Sequence, residues 1–564
     1  MQIIRTPKVY DVCIVGSGAG GGMAAKVLCE AGADVVMLEA GPMWDAAKDS
    51  KMSAWSYDSP RRGAATPTKP FGEFDGCLGG WDIEGEPYTQ AAGSTFDWFR
   101  GRILGGRTNH WGRISLRMGP DDFRRRSLDG LGDDWPIGYD DIKPYYDQLD
   151  RLVGIFGSME GIANEPDGVF LPPPKPRCYE LLIKQTADRM RITCIANRLS
   201  ILTRPLNGRP ACHYCGQCGR GCATHSNFSS PSVLLPPALA TGKLRIVSGA
   251  MAREVLTDDR GLASGVSYVN KADRRDYAVR ARTVVLAASA CETARLLLNS
   301  TSARFPDGLA NSSGAVGKYL TDSTGLAVGG HIPRMEQMVA HNEDGVGGAH
   351  LYMPWWLDAK AVDFPRGYHI ELGGGRRMPA FGVMGGIQRF NGVGGYGKTL
   401  KDDYRRFYGA TVNFAGRGEM IPNADTWCEI DPNVVDAYGI PVLRFHAKFS
   451  EHEVRQAKHM QDTFREIIHT MGGTPLTPMP TREANYGLEN VGRIIHEVGT
   501  TRMGNDPQTS VLNANCQAHD VRNLFVADGG PFVSNAHKNC TWTILALAMR
   551  TADYIARSRN QGTI

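Results

Sequence analysis

Residues Tyr10 to Gly41 read YDVCIVGSGAGGGMAAKVLCEAGADVVMLEAG, and this stretch decides the fold. Asp11 to Val15 is a β-branched run suited to a buried parallel strand. Gly16, Gly18 and Gly21 have the spacing G-x-G-x-x-G. Ala24, Ala25, Val27 and Leu28 follow at helical spacing, and Gly32 closes that helix. Val35 to Leu38 reads as a second buried strand, ended by Glu39. A complete βαβ unit in this space is the signature of dinucleotide binding. Gly16 permits the tight turn, Gly18 a close approach of pyrophosphate to the backbone, and Gly21 close packing of helix on strand. The helix N-terminus offers free N–H groups to phosphates. Glu39 suits the two ribose hydroxyls and disfavours a 2′-phosphate, which argues against NADP.

The 564 residues exceed one small core, so two domains or one large discontinuous fold are expected. A net charge of +4 leaves no footprint for nucleic acid. The N-terminal MQIIRTPKVYD lacks the apolar core of a signal peptide, and no apolar run is long enough to span a bilayer. Thirteen cysteines, nine of them scattered singly, argue against a disulfide scaffold.

Outward from the opening unit, Pro42 to Phe99 reads as an irregular excursion over a bound ligand. It leads to RGRILGGRTNHWGR at Arg100–Arg113, where Gly105 and Gly106 give a second close backbone approach. Thr108, Asn109 and His110 follow as cofactor-facing polar groups. Leu244–Ser248 and Glu254–Leu256 read as strands flanking a turn at Gly249–Ala252. Thr283–Ala288 is a strand running into a helix. Leu326–Ile332, Tyr368–Leu372, Ala410–Ala415, Thr426–Ile430 and Val442–Ala447 alternate like strands of one antiparallel sheet. Glu451–Met471 reads as a long amphipathic helix. Asn523–Gly530, NLFVADGG, is a strand whose Asp528 and Gly529 suit the middle of a dinucleotide, so C-terminal residues should complete the N-terminal sheet.

Two polar clusters carry candidate chemistry: HEVGTTRMG from His496 and HKNCT from His537. Oxidation of a hydroxyl needs a base for its proton, and imidazole titrates near neutrality. A third cluster is Cys212-x-x-Cys215-x-x-Cys218-x-x-x-Cys222. That spacing wraps one compact multi-metal centre and matches the ferredoxin-type run, with Ala223 in place of the usual proline. Zinc and free thiols are the alternatives.

Four motifs lie in order: GSGAGGG, LGGRTNHWG, HEVGTTRMG, and NCTWTILALA after ADGG. Together they resemble the glucose–methanol–choline family of FAD-dependent oxidoreductases over nearly the whole chain. The resemblance implies an α/β fold: a discontinuous Rossmann-like FAD-binding domain plus a substrate domain with an antiparallel sheet flanked by helices. The FAD domain would comprise residues 1–324, with an iron–sulfur loop inserted around 205–228, and residues 491–564. The substrate domain would comprise 325–490. FAD would contact Gly16, Gly18, Gly21, Glu39, Gly105, Gly106, Thr108, Asn109, His110, Ala252, Asp528 and Gly529. His496 would be the catalytic base and Asn539 its partner. Arg107 stands where many members have Ser or Thr. His110 falls where pyranose-oxidising members carry a flavin-linking histidine, a position compatible with linked or unlinked flavin.

Bacterial sugar-oxidising members resemble this chain in carrying a cysteine cluster. This implies a 3Fe-4S or 4Fe-4S centre on Cys212, Cys215, Cys218 and Cys222 that passes electrons to an acceptor other than oxygen. Among them the chain most resembles glucoside 3-dehydrogenases, which make 3-keto sugars. An aldose 1-dehydrogenase or gluconate 2-dehydrogenase-like subunit is the nearest rival, and a nucleotide-binding protein with a zinc-stabilised loop is the non-enzymatic one. The resemblance further implies a small partner subunit with a twin-Arg signal and a cytochrome-type acceptor. Co-export with that subunit would make the protein periplasmic; without it, the protein would be cytoplasmic.

Overall fold

The computed structural model describes residues 8–50, 55–58, 60–66, 72, 76–339, 345–376 and 396–564. Part of the excursion between Pro42 and Phe99 lies outside them.

Two parallel strands, Val9–Val15 and Val35–Glu39, flank the helix Ala19–Glu30 as the opening stretch predicts. Every residue of the second strand is buried, which is why both its faces are apolar. The sheet grows on one side by Leu244–Ser248, paired in parallel with Val35–Glu39. On the other side Asp276–Leu286 pairs in parallel with Val9–Val15. Asp276–Leu286 has 11 residues and serves three neighbours. Its first half also pairs with Ala263–Asn270, and its end with Leu524–Val526. The C-terminal segment therefore completes the N-terminal sheet. Helix Thr541–Asn560 then packs on Ala19–Glu30.

Gly249 forms the expected tight turn at φ +65°, but the turn is shorter than expected. The strand resumes at Ala250 and runs to Thr257, so Ala252 lies inside it.

A second, antiparallel sheet has the order Thr474–Pro475, Ser323–His331, Thr411–Glu419, Tyr368–Gly374, Leu351–Met353, Ile195–Ala196. Helix Glu451–Thr470 covers it. That helix starts with a capping box, in which the Ser450 side chain accepts from the His452 N–H and Glu453 accepts from the Ser450 N–H. Its Met460, Phe464, Ile467 and Ile468 form a separate core with Val328, Val412 and Phe414.

The strands at 427–435 and 441–446 do not join that sheet, contrary to expectation. They pair with each other and with Thr89–Gln90 in a sheet of three strands. The cause is the face they bury. Phe445 stacks on Phe96 with ring centres 4.2 Å apart and packs edge-on to Trp98 and Tyr88. Leu443 and Phe445 thus belong to the nucleotide-domain core. Alternation reports that one face is buried, and does not report against what.

Among the described residues, no helix is long and apolar enough to cross a membrane.

Candidate active site

The turn at the end of the first strand is built of glycines that admit no side chain. A Cβ at Gly16, where φ is +96°, would fall 2.3 Å from the Ala287 carbonyl oxygen. At Gly21 it would fall 2.0 Å from the Gly16 carbonyl oxygen. Gly18 differs: its nearest neighbour would be the Gly105 carbonyl oxygen, 4.0 Å away. The bare backbone at Gly18 faces a cavity of about 400 Å³, into which the N-terminus of helix Ala19–Glu30 opens.

Of the expected contact residues, Gly16, Gly18, Glu39, Gly106, Thr108, His110, Ala252, Asp528 and Gly529 line this cavity, as do His496 and Asn539. Gly21, Gly105 and Asn109 brace it from behind. Gly21 seats the helix on the strand. Gly105 donates its N–H to Ser17 Oγ at 2.8 Å, and Asn109 Nδ2 donates to the carbonyls of Leu104 and Gly106.

Glu39 is 6% exposed. Burial pushes its carboxyl up, opposed by the Ser17 hydroxyl and by the Gly41 N–H, which donates at 2.7 Å. Asp528 is likewise pushed up by burial and is held by Thr293 Oγ1 at 2.6 Å and the Gly530 N–H at 2.8 Å. The two carboxylates, the glycine turn and the helix N-terminus form one donor and acceptor set that fits a dinucleotide such as FAD.

Arg107, in place of the hydroxyl residue many members carry, is an electrostatic feature of the wall. Its guanidinium pairs with Glu497 at 2.5 Å, and Glu497 follows His496 directly.

His496 and Asn539 meet. Asn539 Nδ2 lies 3.2 Å from His496 Nε2 and 3.4 Å from Glu371 Oε1. A carboxylate only accepts, so the nitrogen of the Asn539 amide must face it. That nitrogen then donates to His496 Nε2, which must carry the lone pair. The ring proton therefore sits on Nδ1 and is donated to Ser323 Oγ at 3.0 Å. Asn535 Nδ2 also donates to Ser323 Oγ, at 3.1 Å. The backbone of the segment is clamped by Asp322, which accepts from the N–H groups of Gly492 at 2.8 Å, Ile494 at 3.2 Å and His496 at 2.8 Å.

Burial, helped by the Arg417 charge, pulls His496 down to about 3, so the imidazole is neutral, with its acceptor nitrogen unprotonated, at physiological pH. Burial beside Glu497 pushes Asp322 up to about 7. For Glu371 burial acts upward, but Arg417, His369 and His496 outweigh it and hold the carboxyl at about 2. Glu371, Ser323 and Asp322 escaped the reading of the sequence because no local pattern marks them. Each acts across more than 100 residues of chain.

Cys212, Cys215, Cys218 and Cys222 line one small pocket with Ile201, Ser226 and Asn227. Burial pushes the Cys212 thiol up to about 12, with the other three thiols adding to the shift. Asn227 is 3% exposed, and its Nδ2 has no hydrogen-bond partner. Among the described residues no three His, Cys, Asp or Glu side chains are gathered to hold a metal ion. The geometry thus brings the cysteines together in one loop without arranging them around one ion, and the expected cluster gains no support from it.

Comparison with known proteins agrees with the fold. The family model described as GMC oxidoreductase matches in two parts, residues 19–324 and 424–548. The chain is 30% identical to 2-methyl-1,2-propanediol dehydrogenase of Mycolicibacterium austroafricanum, covering 97% of this chain and 95% of that protein. It is 27% identical to the fructose dehydrogenase large subunit of Gluconobacter japonicus, covering 98% of each. The crystal structure of pyridoxine 4-oxidase from Mesorbium loti superposes with a TM-score of 0.62 at 18% identity, covering 97% of this chain and 99% of that one. The glycine turn, the buried Glu39 carboxylate and the His496–Asn539 pair thus sit on a chain that belongs to the GMC oxidoreductase family, FAD-binding enzymes that oxidise CH–OH groups of alcohols and sugars.

Proposed function

We propose that the protein is a sugar dehydrogenase that oxidises carbon 3 of glucosides to 3-keto glucosides and passes the electrons to an external acceptor. The observation that carries oxidation of a hydroxyl is the His496 ring, whose lone pair on Nε2 faces the cavity beside Asn539. His496 Nε2 takes the hydroxyl proton. Asn539 Nδ2, the donor beside Nε2, holds the oxygen in place. FAD, when bound, supplies the hydride acceptor. Glu39 and the turn at Gly16–Gly18 would hold its adenosine side, and Asp528 and Gly529 its middle.

A sugar substrate is supported by the resemblance of the motifs and by the fructose dehydrogenase relative. Carbon 3 rests on the motif resemblance alone. The reading includes a 3Fe-4S or 4Fe-4S cluster on Cys212, Cys215, Cys218 and Cys222 as the electron exit. Its support is the ferredoxin-type spacing of the four cysteines. The reading also includes a small co-exported subunit carrying a twin-Arg signal, a cytochrome-type acceptor and a periplasmic location. One of the relatives is named as a large subunit, which supports an assembly.

The test is product identification after incubation with methyl glucoside and an artificial electron acceptor. A 3-keto glucoside is the expected product. A lactone would move the reading to an aldose 1-dehydrogenase.

A further inference from the structure

Beside the catalytic pair, the wall of the antiparallel sheet carries a group of charges that hydroxyl oxidation by His496 and Asn539 does not require. Glu371 and Arg417 come from neighbouring strands, Tyr368–Gly374 and Thr411–Glu419. Arg417 Nη2 pairs with Glu371 Oε2 at 3.1 Å. Both side chains stay about one-fifth exposed, at 22% and 21%, so the pair reaches open space within an otherwise buried wall. Arg417 lies close behind the cavity wall: a Cβ at Gly325 would meet both Ile494, which lines the cavity, and Arg417 Nη1.

The other carboxylate oxygen, Oε1, is poorly satisfied. Its contact with Asn539 Nδ2 is long, at 3.4 Å. His369 Nε2 lies 3.6 Å from it, beyond hydrogen-bond reach. His369 Nδ1 faces the carbonyl of His537 at 2.6 Å, and a carbonyl only accepts, so Nδ1 carries the proton. His369 Nε2 and Asn539 Oδ1 are both buried and have no hydrogen-bond partner. Two unpaired polar atoms thus lie beside a carboxylate oxygen that is only weakly held, and unpaired buried polar atoms are costly.

We propose that this group is a subsite for a second substrate hydroxyl, on a carbon next to the one oxidised. That hydroxyl donates its proton to the acceptors beside Glu371 and accepts a hydrogen bond from Arg417. Arg417 neutralises Glu371, so the subsite does not attract an ammonium group and selects a neutral hydroxyl. The reacting oxygen lies at His496 Nε2 and Asn539 Nδ2, and Nδ2 also faces Glu371, so the two positions are within reach of neighbouring hydroxyls on one carbon chain. The substrate class is therefore vicinal diols and sugars, and not monohydric alcohols. The inference rests on His496 and Asn539 as the oxidising pair and does not depend on glucosides or on carbon 3.

The experiment is anaerobic flavin reduction by the flavin-loaded protein, comparing propane-1,2-diol with propan-1-ol, and methyl glucoside with its 2-deoxy and 4-deoxy analogues. A site built to bind a hydroxyl discriminates strongly against an analogue lacking it, so the second-order rate constant should fall by about 10²-fold or more. In Arg417→Met the diol-to-alcohol ratio should shrink to a few-fold, through weaker diol binding more than a slower limiting rate. Arg417→Lys should recover part of the ratio. Flavin occupancy confirms that each variant is folded, and the wild-type ratio decides the matter if Arg417→Met does not fold. Equal rates for diol and alcohol in the wild type would overturn the subsite, as would a wild-type ratio retained in a folded Arg417→Met. Strong diol selectivity without any reaction on glucosides would overturn the glucoside reading and leave the subsite standing.

Discussion

The guanidinium of Arg113 donates to the backbone carbonyl of Cys218 at 2.7 Å and to that of Asn109 at 3.1 Å. One buried side chain thus ties the cysteine loop to the segment that carries His110 into the cavity. Ile114 repeats the link in apolar form. It lines the cavity and packs on the same cluster as Cys212 and Cys218. The loop is held from its other side by the Gly76 N–H, which donates to the Gly219 carbonyl at 2.7 Å. A centre on these cysteines would therefore sit next to the cofactor cavity, not at a remote surface.

This placement makes the electron-exit proposal testable by metal content. The purified protein should contain iron and acid-labile sulfide, and Cys218→Ser should lower both. Flavin reduction by sugar should stay near wild type in that variant, because Cys212, Cys215, Cys218 and Cys222 line a separate pocket from His496 and Asn539. Turnover with a protein acceptor should fall. A wild-type protein containing zinc and no iron would end the electron-exit proposal.

The adenosine side of the cavity is tested at Glu39. Its carboxylate is buried and accepts hydrogen bonds from Ser17 and Gly41. Removing a buried charged acceptor costs more than removing a neutral one, so Glu39→Ala should weaken FAD binding by about 10- to 100-fold. Flavin retained through gel filtration at wild-type occupancy would count against the assignment.

Much of this architecture was legible because its determinants are local. The opening βαβ unit needs only three glycines, two apolar runs and one acid within a single stretch. The helix expected over Glu451–Met471 shows in its amphipathic period, and the structure has it over Glu451–Thr470. His496 and Asn539 were found through motifs, and the structure places them 3.2 Å apart at the side chains although 43 residues separate them. What escaped depends on strand register. Glu371 meets Arg417 only because Tyr368–Gly374 pairs with Thr411–Glu419, and Ser323 meets His496 across 173 residues. The sheet assignment of residues 427–446 failed for a related reason: Leu443 and Phe445 pack into the nucleotide-domain core, and alternation does not say which core a buried face joins.

Asp322 offers a pH test whose sign can be worked out. Burial pushes its carboxyl up to about 7 in the folded protein, against 3.8 for a free aspartate. Between those values the folded state holds a proton that the unfolded state has released. This group's contribution to stability is therefore present at low pH and falls as pH rises toward 7. Asp322→Asn carries no charge to desolvate. Its melting temperature relative to wild type should be lowest near pH 4 and rise toward pH 8. A difference that moves in the opposite direction would show that the backbone N–H bonds, and not burial, dominate at this carboxylate.

The base itself makes the sharpest prediction. Burial and Arg417 hold the folded His496 at about 3, below the free value of 6.5. Nε2 is therefore unprotonated across the physiological range, and the proton-accepting form is lost only in strong acid. Limiting flavin reduction by substrate should be flat from about pH 5.5 to 8, with no step at the ordinary imidazole value. His496→Ala should lower kcat by about two to four orders of magnitude, the range for a positioned base. Ser323→Ala addresses the tautomer alone. It removes the oxygen that accepts from Nδ1, so the ring is free to place its proton on Nε2, where it blocks the reaction. The loss of one such hydrogen bond should reduce kcat by roughly tenfold while leaving KM unchanged. A Ser323→Ala protein with full flavin and wild-type kcat would show that Asn539 alone orients the ring. A step at pH 6.5 in the wild-type rate would show that the bound substrate opens His496 to water.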